Sequence, residues 1–199
     1  NPPIAGDVTQ DVNLHIKWDG VIKVKTDVYA SDVAAVVSDW NSRMGKTIFQ
    51  VVSSGQAVHV RSASSTCLNN PPLNGGSVAV VADKTDADSG AGCHLFVDLL
   101  AYNNVNLGRQ MAVDLKTSVL DTQTTTYRRA AIAHELGHTL GLEEHYISYN
   151  SQCRSDVSSI MEAPTCGATS PTSHDGTDVS TAYTIASAAN PTYTSPPRW

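Results

Sequence analysis

Apolar and polar residues alternate over residues 12–18, with Val12, Leu14, Ile16 and Trp18 set against Asn13, His15 and Lys17. A period of two is that of a half-buried strand, and Asp19-Gly20 directly afterwards is a turn signal. The period then changes. Val33, Val36, Val37 and Trp40 recur at helical spacing, which predicts a helix that starts at Ser31-Asp32, runs over 33–43 and ends at Gly45. Further strands are predicted over 47–52, 58–62, 77–82 and 94–99, and the Asn, Pro and Gly residues of 69–76 make a loop.

Thr124-Thr125-Thr126 offers N-cap hydroxyls for a second helix over 127–140, whose propensity is raised by Ala130, Ala131 and Ala133. Gly141 stands where a C-terminal cap belongs. A third helix is predicted to begin near 173–175 and to run through Val179, Ala182, Tyr183 and Ile185 to Ala188. The proline-rich stretch after it cannot continue a helix, so 189–199 reads as a tail. No repeat and no long linker divides the chain, which leaves one domain over 1–188, with an upper part to about residue 141 and a lower part after it. Helices and several short strands in this order give an α+β class.

Composition narrows the setting. The chain has 199 residues, 41% of them hydrophobic and 16% charged, too apolar for a disordered chain and too interrupted for a membrane one. No apolar run approaches the roughly 18 residues that a spanning helix needs. The net charge is -6 and no basic cluster exceeds Arg128-Arg129, which argues against nucleic acid or an anionic membrane as partner. The four cysteines, Cys67, Cys93, Cys153 and Cys166, contain no CxxC pair. Disulfides are the expected use. Three pairings are open, the simplest being sequential, Cys67 with Cys93 and Cys153 with Cys166. With abundant Ser and Thr and low charge, this suits an exported, extracellular protein, and the start at Asn1-Pro2-Pro3 looks processed.

The chemistry concentrates in His134-Glu135-Leu136-Gly137-His138, the pattern HExxH on the predicted long helix. Residues i and i+4 lie on one helix face one turn apart, so the two imidazoles are placed to share a metal ion, and two neutral nitrogens suit zinc. Glu135 lies beside that face, where it is not a ligand but can take a proton from water. The bland alternative is a pair of surface histidines that meets a glutamate by chance. Gly141, three residues after His138, would turn the chain back beneath the metal, and two candidate third ligands come next, Glu144 and His145.

The stretch His134 to Tyr146 resembles the metzincin clan of zinc endopeptidases, whose signature is HExxHxxGxx and then His or Asp. Within the clan it is most similar to the snapalysin family, whose motif ends in Asp-His-Tyr where this chain has Glu144-His145-Tyr146. A downstream cysteine pair 13 residues apart, as Cys153 and Cys166 are, is similar too. The resemblance spans 130–166 and is only topological before that. It implies a mixed twisted sheet, an active-site helix and a loop-rich C-terminal subdomain ending in a helix. It also implies zinc as cofactor, protein or peptide substrates and a monomer. Met161 would be the methionine of a tight turn beneath the metal, Tyr146 would hydrogen-bond the developing oxyanion, and His94 to Asp98 would form the edge strand that aligns substrate. As third ligand, Glu144 is favoured by position, ten residues after His134. His145 is favoured by chemistry, and if Glu144 binds, His145 is expected to orient a ligand.

Other candidates are weaker. Asp175 is expected to cap the last helix rather than bind metal, and His15, His59 and His94 read as sheet-face residues. Asp83, Asp86 and Asp88 ahead of Gly90 could form a calcium loop, although a solvated acidic turn suits them better. Two competing functions remain. One is a gluzincin-type protease with Glu162 as third ligand, 24 residues beyond His138, although Ala163-Pro164 predicts a turn there. The other is a secreted binding protein that keeps zinc for stability alone.

Overall fold

Ile22 and Val24 point to one face of strand β1 (Ile22–Thr26) and Lys23 to the other, an alternation that places the apolar side on a core. The structure, a computed structural model, describes residues 21–62, 78–83, 111–142, 153, 158–162 and 165–189. After β1 come helix α1 (Ala30–Met44), strands β2 (Phe49–Val51), β3 (Val58–Ser62), β4 (Ala79–Asp83) and β5 (Met111–Leu115), the short helix α2 (Thr117–Leu120), and helices α3 (Thr125–Thr139) and α4 (Ser173–Ala189). The chain is thus α+β. Its described strands form one mixed sheet in the order β2-β1-β3-β5-β4, with β4 antiparallel to β5 and every other pairing parallel.

One face of this sheet meets the helices. Ile22, Val24, Phe49, Val58, Val60, Val81, Met111, Val113 and Leu115 join Val33, Val36, Val37 and Trp40 of α1 and Ile132, Leu136 and Leu140 of α3 in a single buried cluster. Trp40 is fully buried and its indole Nε1 donates to the Ala133 carbonyl at 3.0 Å, which fixes α1 against α3 while satisfying the one polar atom of that ring. Asn41, the next residue, ties the C-terminal end of α1 to the sheet, since its side-chain oxygen accepts from the amides of Ile48 and Phe49 at 2.8 and 2.9 Å. β5 lies inside the sheet and all five of its residues are buried. Asp114 is tolerated there because Arg61, opposite it on β3, donates from Nε at 2.6 Å.

The strand expected over 58–62 coincides with β3, whereas those over 47–52 and 77–82 are realised as β2 and β4, shorter or shifted by a residue or two. Strands β1 and β5 and helix α2 have no counterpart among the expected elements. The start of α1 also differs from expectation. Tyr29, in a left-handed conformation at φ 52°, precedes the first turn, and neither Ser31 nor Asp32 caps it. Asp32 is buried and accepts instead from Arg128 Nε at 3.1 Å and Arg129 Nε at 2.9 Å, so its charge joins α1 to α3. Tyr29 is held by its hydroxyl, which donates to Asp121 at 2.7 Å, and by the Arg128 guanidinium over its ring. Burial, and then the Asp121 carboxylate, push the Tyr29 phenol up to about 12. The last helix runs to Ala189, one residue beyond the expected domain boundary, and no described helix is long and apolar enough to cross a membrane. The strand expected over 12–18, the loop over 69–76 and the tail beyond Ala189 lie outside the described residues, as does the Cys67–Cys93 pairing.

Candidate metal centre

Helix α3 begins where the hydroxyl of Thr124 accepts from the Tyr127 amide at 3.2 Å. From Ala130 to Thr139 every residue is buried, and His134, Glu135 and His138 are therefore polar side chains taken into the interior together. Buried polar groups need partners, and these rings have them. His134 Nδ1 faces the carbonyl oxygens of Ile160 at 2.9 Å and Glu162 at 3.1 Å, and His138 Nδ1 faces that of Leu142 at 2.8 Å. A carbonyl only accepts, so each Nδ1 carries the proton and each neutral ring keeps its lone pair on Nε2. The two Nε2 atoms lie 3.1 Å apart, with the rings nearly perpendicular.

Two lone pairs held that close repel unless a proton or a metal ion stands between them. A tetrahedral zinc with Zn–N bonds of about 2.05 Å would separate two imidazole nitrogens by about 3.3 Å. The observed spacing fits that ion to within a few tenths of an ångström, and both histidines present the nitrogen and the tautomer that zinc takes. Glu135 is buried on the adjoining face of the same helix turn.

Two turns aim the rings. Gly141, at φ 93°, ends α3 in a Schellman arrangement, with its amide donating to the His138 carbonyl at 3.0 Å and the Leu142 amide to that of Gly137 at 3.2 Å. That reversal returns the Leu142 carbonyl to the His138 ring. Beneath the helix, a turn closed by the Glu162 amide on the Ser159 carbonyl at 3.3 Å carries Ile160 and Met161, both buried, and supplies the carbonyls that meet His134. Met161 packs against α3 at Gly137. The disulfide between Cys153 and Cys166 spans this turn.

Asp175 is fully buried on α4. Its carboxylate accepts from the Thr172 amide at 2.6 Å while Thr172 Oγ1 meets the Asp175 amide at 3.4 Å, the reciprocal capping pair expected of a residue that starts a helix. It does more than cap, since Ser159 Oγ and the Ile160 amide also donate to it. Its role in the turn, and that of Gly137, escape a reading of the sequence. The only signals there are the Thr172-x-x-Asp175 spacing and a glycine inside a helical motif.

Glu162 meets the site through its main-chain carbonyl, from a turn and not from a helix. Among the described residues no third His, Cys, Asp or Glu side chain converges with the pair as a metal-holding group. Glu144, His145 and Tyr146 lie outside the described residues, as do Asp86, Asp88, His15 and the segment 94–98. His59 is buried on β3, where its Nε2 meets Asp27 at 2.6 Å, so the sheet-face expectation holds for it. That bond, and then Lys25, hold the Asp27 carboxyl below its ordinary range. His174 stands one turn from the buried Asp178 at 3.1 Å on α4.

Comparison of the chain with family models, with curated proteins and with solved structures gives no match.

Proposed function

We propose that the chain is an extracellular zinc endopeptidase of the metzincin type, using His134, His138 and either Glu144 or His145 to hold the metal. The observation that carries this reading is the pair of buried imidazoles whose Nδ1 protons are committed to backbone carbonyls and whose Nε2 atoms stand 3.1 Å apart, with Glu135 next to them. A zinc ion bound there would supply a Lewis acid for a peptide carbonyl and a lowered pKa for water.

The protein's own groups do the rest. Glu135 takes a proton from the attacking water as its oxygen adds to the scissile carbonyl carbon, and returns it to the nitrogen when the C–N bond breaks. His134 and His138 hold their orientation because each is tied to main chain through Nδ1. Tyr146 is assigned the hydrogen bond to the developing oxyanion.

The test combines metal content with turnover. About one zinc per chain is expected by elemental analysis, with cleavage of a generic unfolded protein abolished by a chelator and restored by zinc. Active protein free of transition metal would overturn the reading. Protein that binds zinc yet cleaves nothing would instead be the zinc-stabilised binding protein.

A further inference from the structure

We propose that Asp175 is a positioning residue for His134, acting through the turn at 159–162. Its Oδ1 accepts a hydrogen bond from the Ser159 hydroxyl, and its Oδ2 accepts from the Ile160 amide at 3.0 Å and the Thr172 amide at 2.6 Å. Ser159 Oγ in turn accepts from the Met161 amide at 2.9 Å, and the single Thr172 hydroxyl proton is within reach of both the same carboxylate at 2.9 Å and the Ser158 carbonyl at 2.8 Å. One fully buried carboxylate thereby sets the direction of three consecutive residues, Ser159, Ile160 and Met161. The carbonyls of Ile160 and Glu162 that result are the acceptors of the His134 Nδ1 proton. Remove the carboxylate and those oxygens lose their aim. His134 can then place its proton on Nε2, the nitrogen that faces His138.

His138 is an internal control, because its acceptor, the Leu142 carbonyl, is set by the turn at Gly141 and owes nothing to Asp175. A merely structural role for Asp175 would disturb both rings alike; a positioning role disturbs His134 alone. The effect on the tautomer stands without any metal, whereas its consequence for zinc rests on the function proposed above.

The experiment is long-range ¹⁵N–¹H correlation of the imidazoles in the metal-free full chain, at alkaline pH where both rings are neutral, and then zinc titration. In the unaltered protein both rings are expected as the Nδ1–H tautomer, held by their backbone carbonyls, with the Nε2 atoms easing apart to relieve the lone-pair repulsion while no ion stands between them. In Asp175→Ala, His134 should show a substantial Nε2–H population while His138 keeps its proton on Nδ1, and zinc affinity should fall about 10- to 100-fold. Asp175→Asn, which keeps one acceptor oxygen, should restore part of both. If Asp175→Ala does not fold, Ser159→Ala tests the same link through its hydroxyl and should move His134 in the same direction. A His134 tautomer unchanged in the folded variant, or a change shared equally by His138, overturns the proposal; a His134 tautomer that changes alone with unaltered zinc affinity keeps the positioning of His134 and overturns its consequence for the metal. Should the unaltered protein bind no zinc while His134 alone responds to Asp175→Ala, the zinc reading fails and the positioning of His134 stands.

Discussion

Gly137 leaves no room for a side chain, because a Cβ built on it would stand 2.3 Å from Met161 Sδ and 3.3 Å from Trp40 Cζ2. The middle of the HExxH motif and the methionine of the turn are therefore packed as one unit, with Met161 at 2% and Trp40 at 0% exposure. Neither neighbour has solvent to retreat into. Gly137→Ala gains about 1 kcal/mol of helix propensity but overpacks this contact by about 1–3 kcal/mol, so a net loss of up to about 2 kcal/mol is expected in urea unfolding. Adding Met161→Ala should relieve the overpacking, which would appear as a favourable coupling in a double-mutant cycle. Full stability of the single variant would contradict the packing described.

Glu135→Gln keeps the shape of the side chain and removes its basicity. Zinc content and the melting transition should stay close to those of the unaltered protein, while kcat falls by about 10² to 10⁴. Near-normal turnover in a zinc-loaded variant would locate the base elsewhere.

Cys153 and Cys166 are joined, and the 13-residue separation between them encloses the turn that carries Met161. Closing a loop of this size is worth about 3 kcal/mol in the chain-entropy account. A Cys153→Ser/Cys166→Ser protein should lose about that much in stability, and its zinc affinity should fall as well, since the carbonyls facing His134 sit inside the loop. Unchanged affinity in the folded variant would separate the disulfide from the site.

Burial decides which elements are legible in the sequence. β3 is legible because Val58 and Val60 face the core beside the more exposed Arg61 and Ser62, and α3 because its cap, its alanines and Gly141 punctuate it. β5 is hidden because all five residues of Met-Ala-Val-Asp-Leu are buried, so no alternation remains to be read. β1 does alternate, but the preceding stretch at 12–18 alternates more plainly and draws the assignment. At the site, the spacing of His134 and His138 and the turn at Gly141 are readable as helix geometry. The carboxylate of Asp175 is readable only as a cap, because its link to Ser159 and Ile160 joins residues that are 16 and 15 positions away.

Asp27 provides a pH test apart from the metal. Its carboxyl is held below the ordinary 3.8, first by the hydrogen bond from His59 and then by that from Lys25. A depressed carboxylate stabilises the fold fully above 3.8, and that contribution is lost as pH falls through the folded-state value. In His59→Leu the Asp27 carboxyl, monitored by ¹³C NMR, should titrate closer to 3.8, and the loss of stability in acid should be correspondingly smaller. An Asp27 titration that does not move would assign the shift to Lys25.

On the function proposed above, the third ligand would be decided by the path of the chain beyond Leu142, whose carbonyl is anchored to the His138 ring at 2.8 Å. From that fixed point Glu144 is two residues on and His145 three, so the chain must bend toward the metal at once for either to reach it. Glu144 stands ten residues after His134, the position that the resemblance to metzincins assigns to this role, and its side chain is one methylene longer than the Asp of the snapalysin motif. The turn would then lie slightly farther from the metal. His145 offers the commoner zinc donor, at the expense of one extra residue in the turn. Separate Glu144→Ala and His145→Ala variants, compared by zinc titration, discriminate the two. By position, Glu144→Ala should reduce affinity by well over about 100-fold, whereas His145→Ala, which would remove a group that orients a ligand, should reduce it by about 10- to 100-fold. The reverse order would mean that the motif carries a one-residue insertion and that imidazole completes the site.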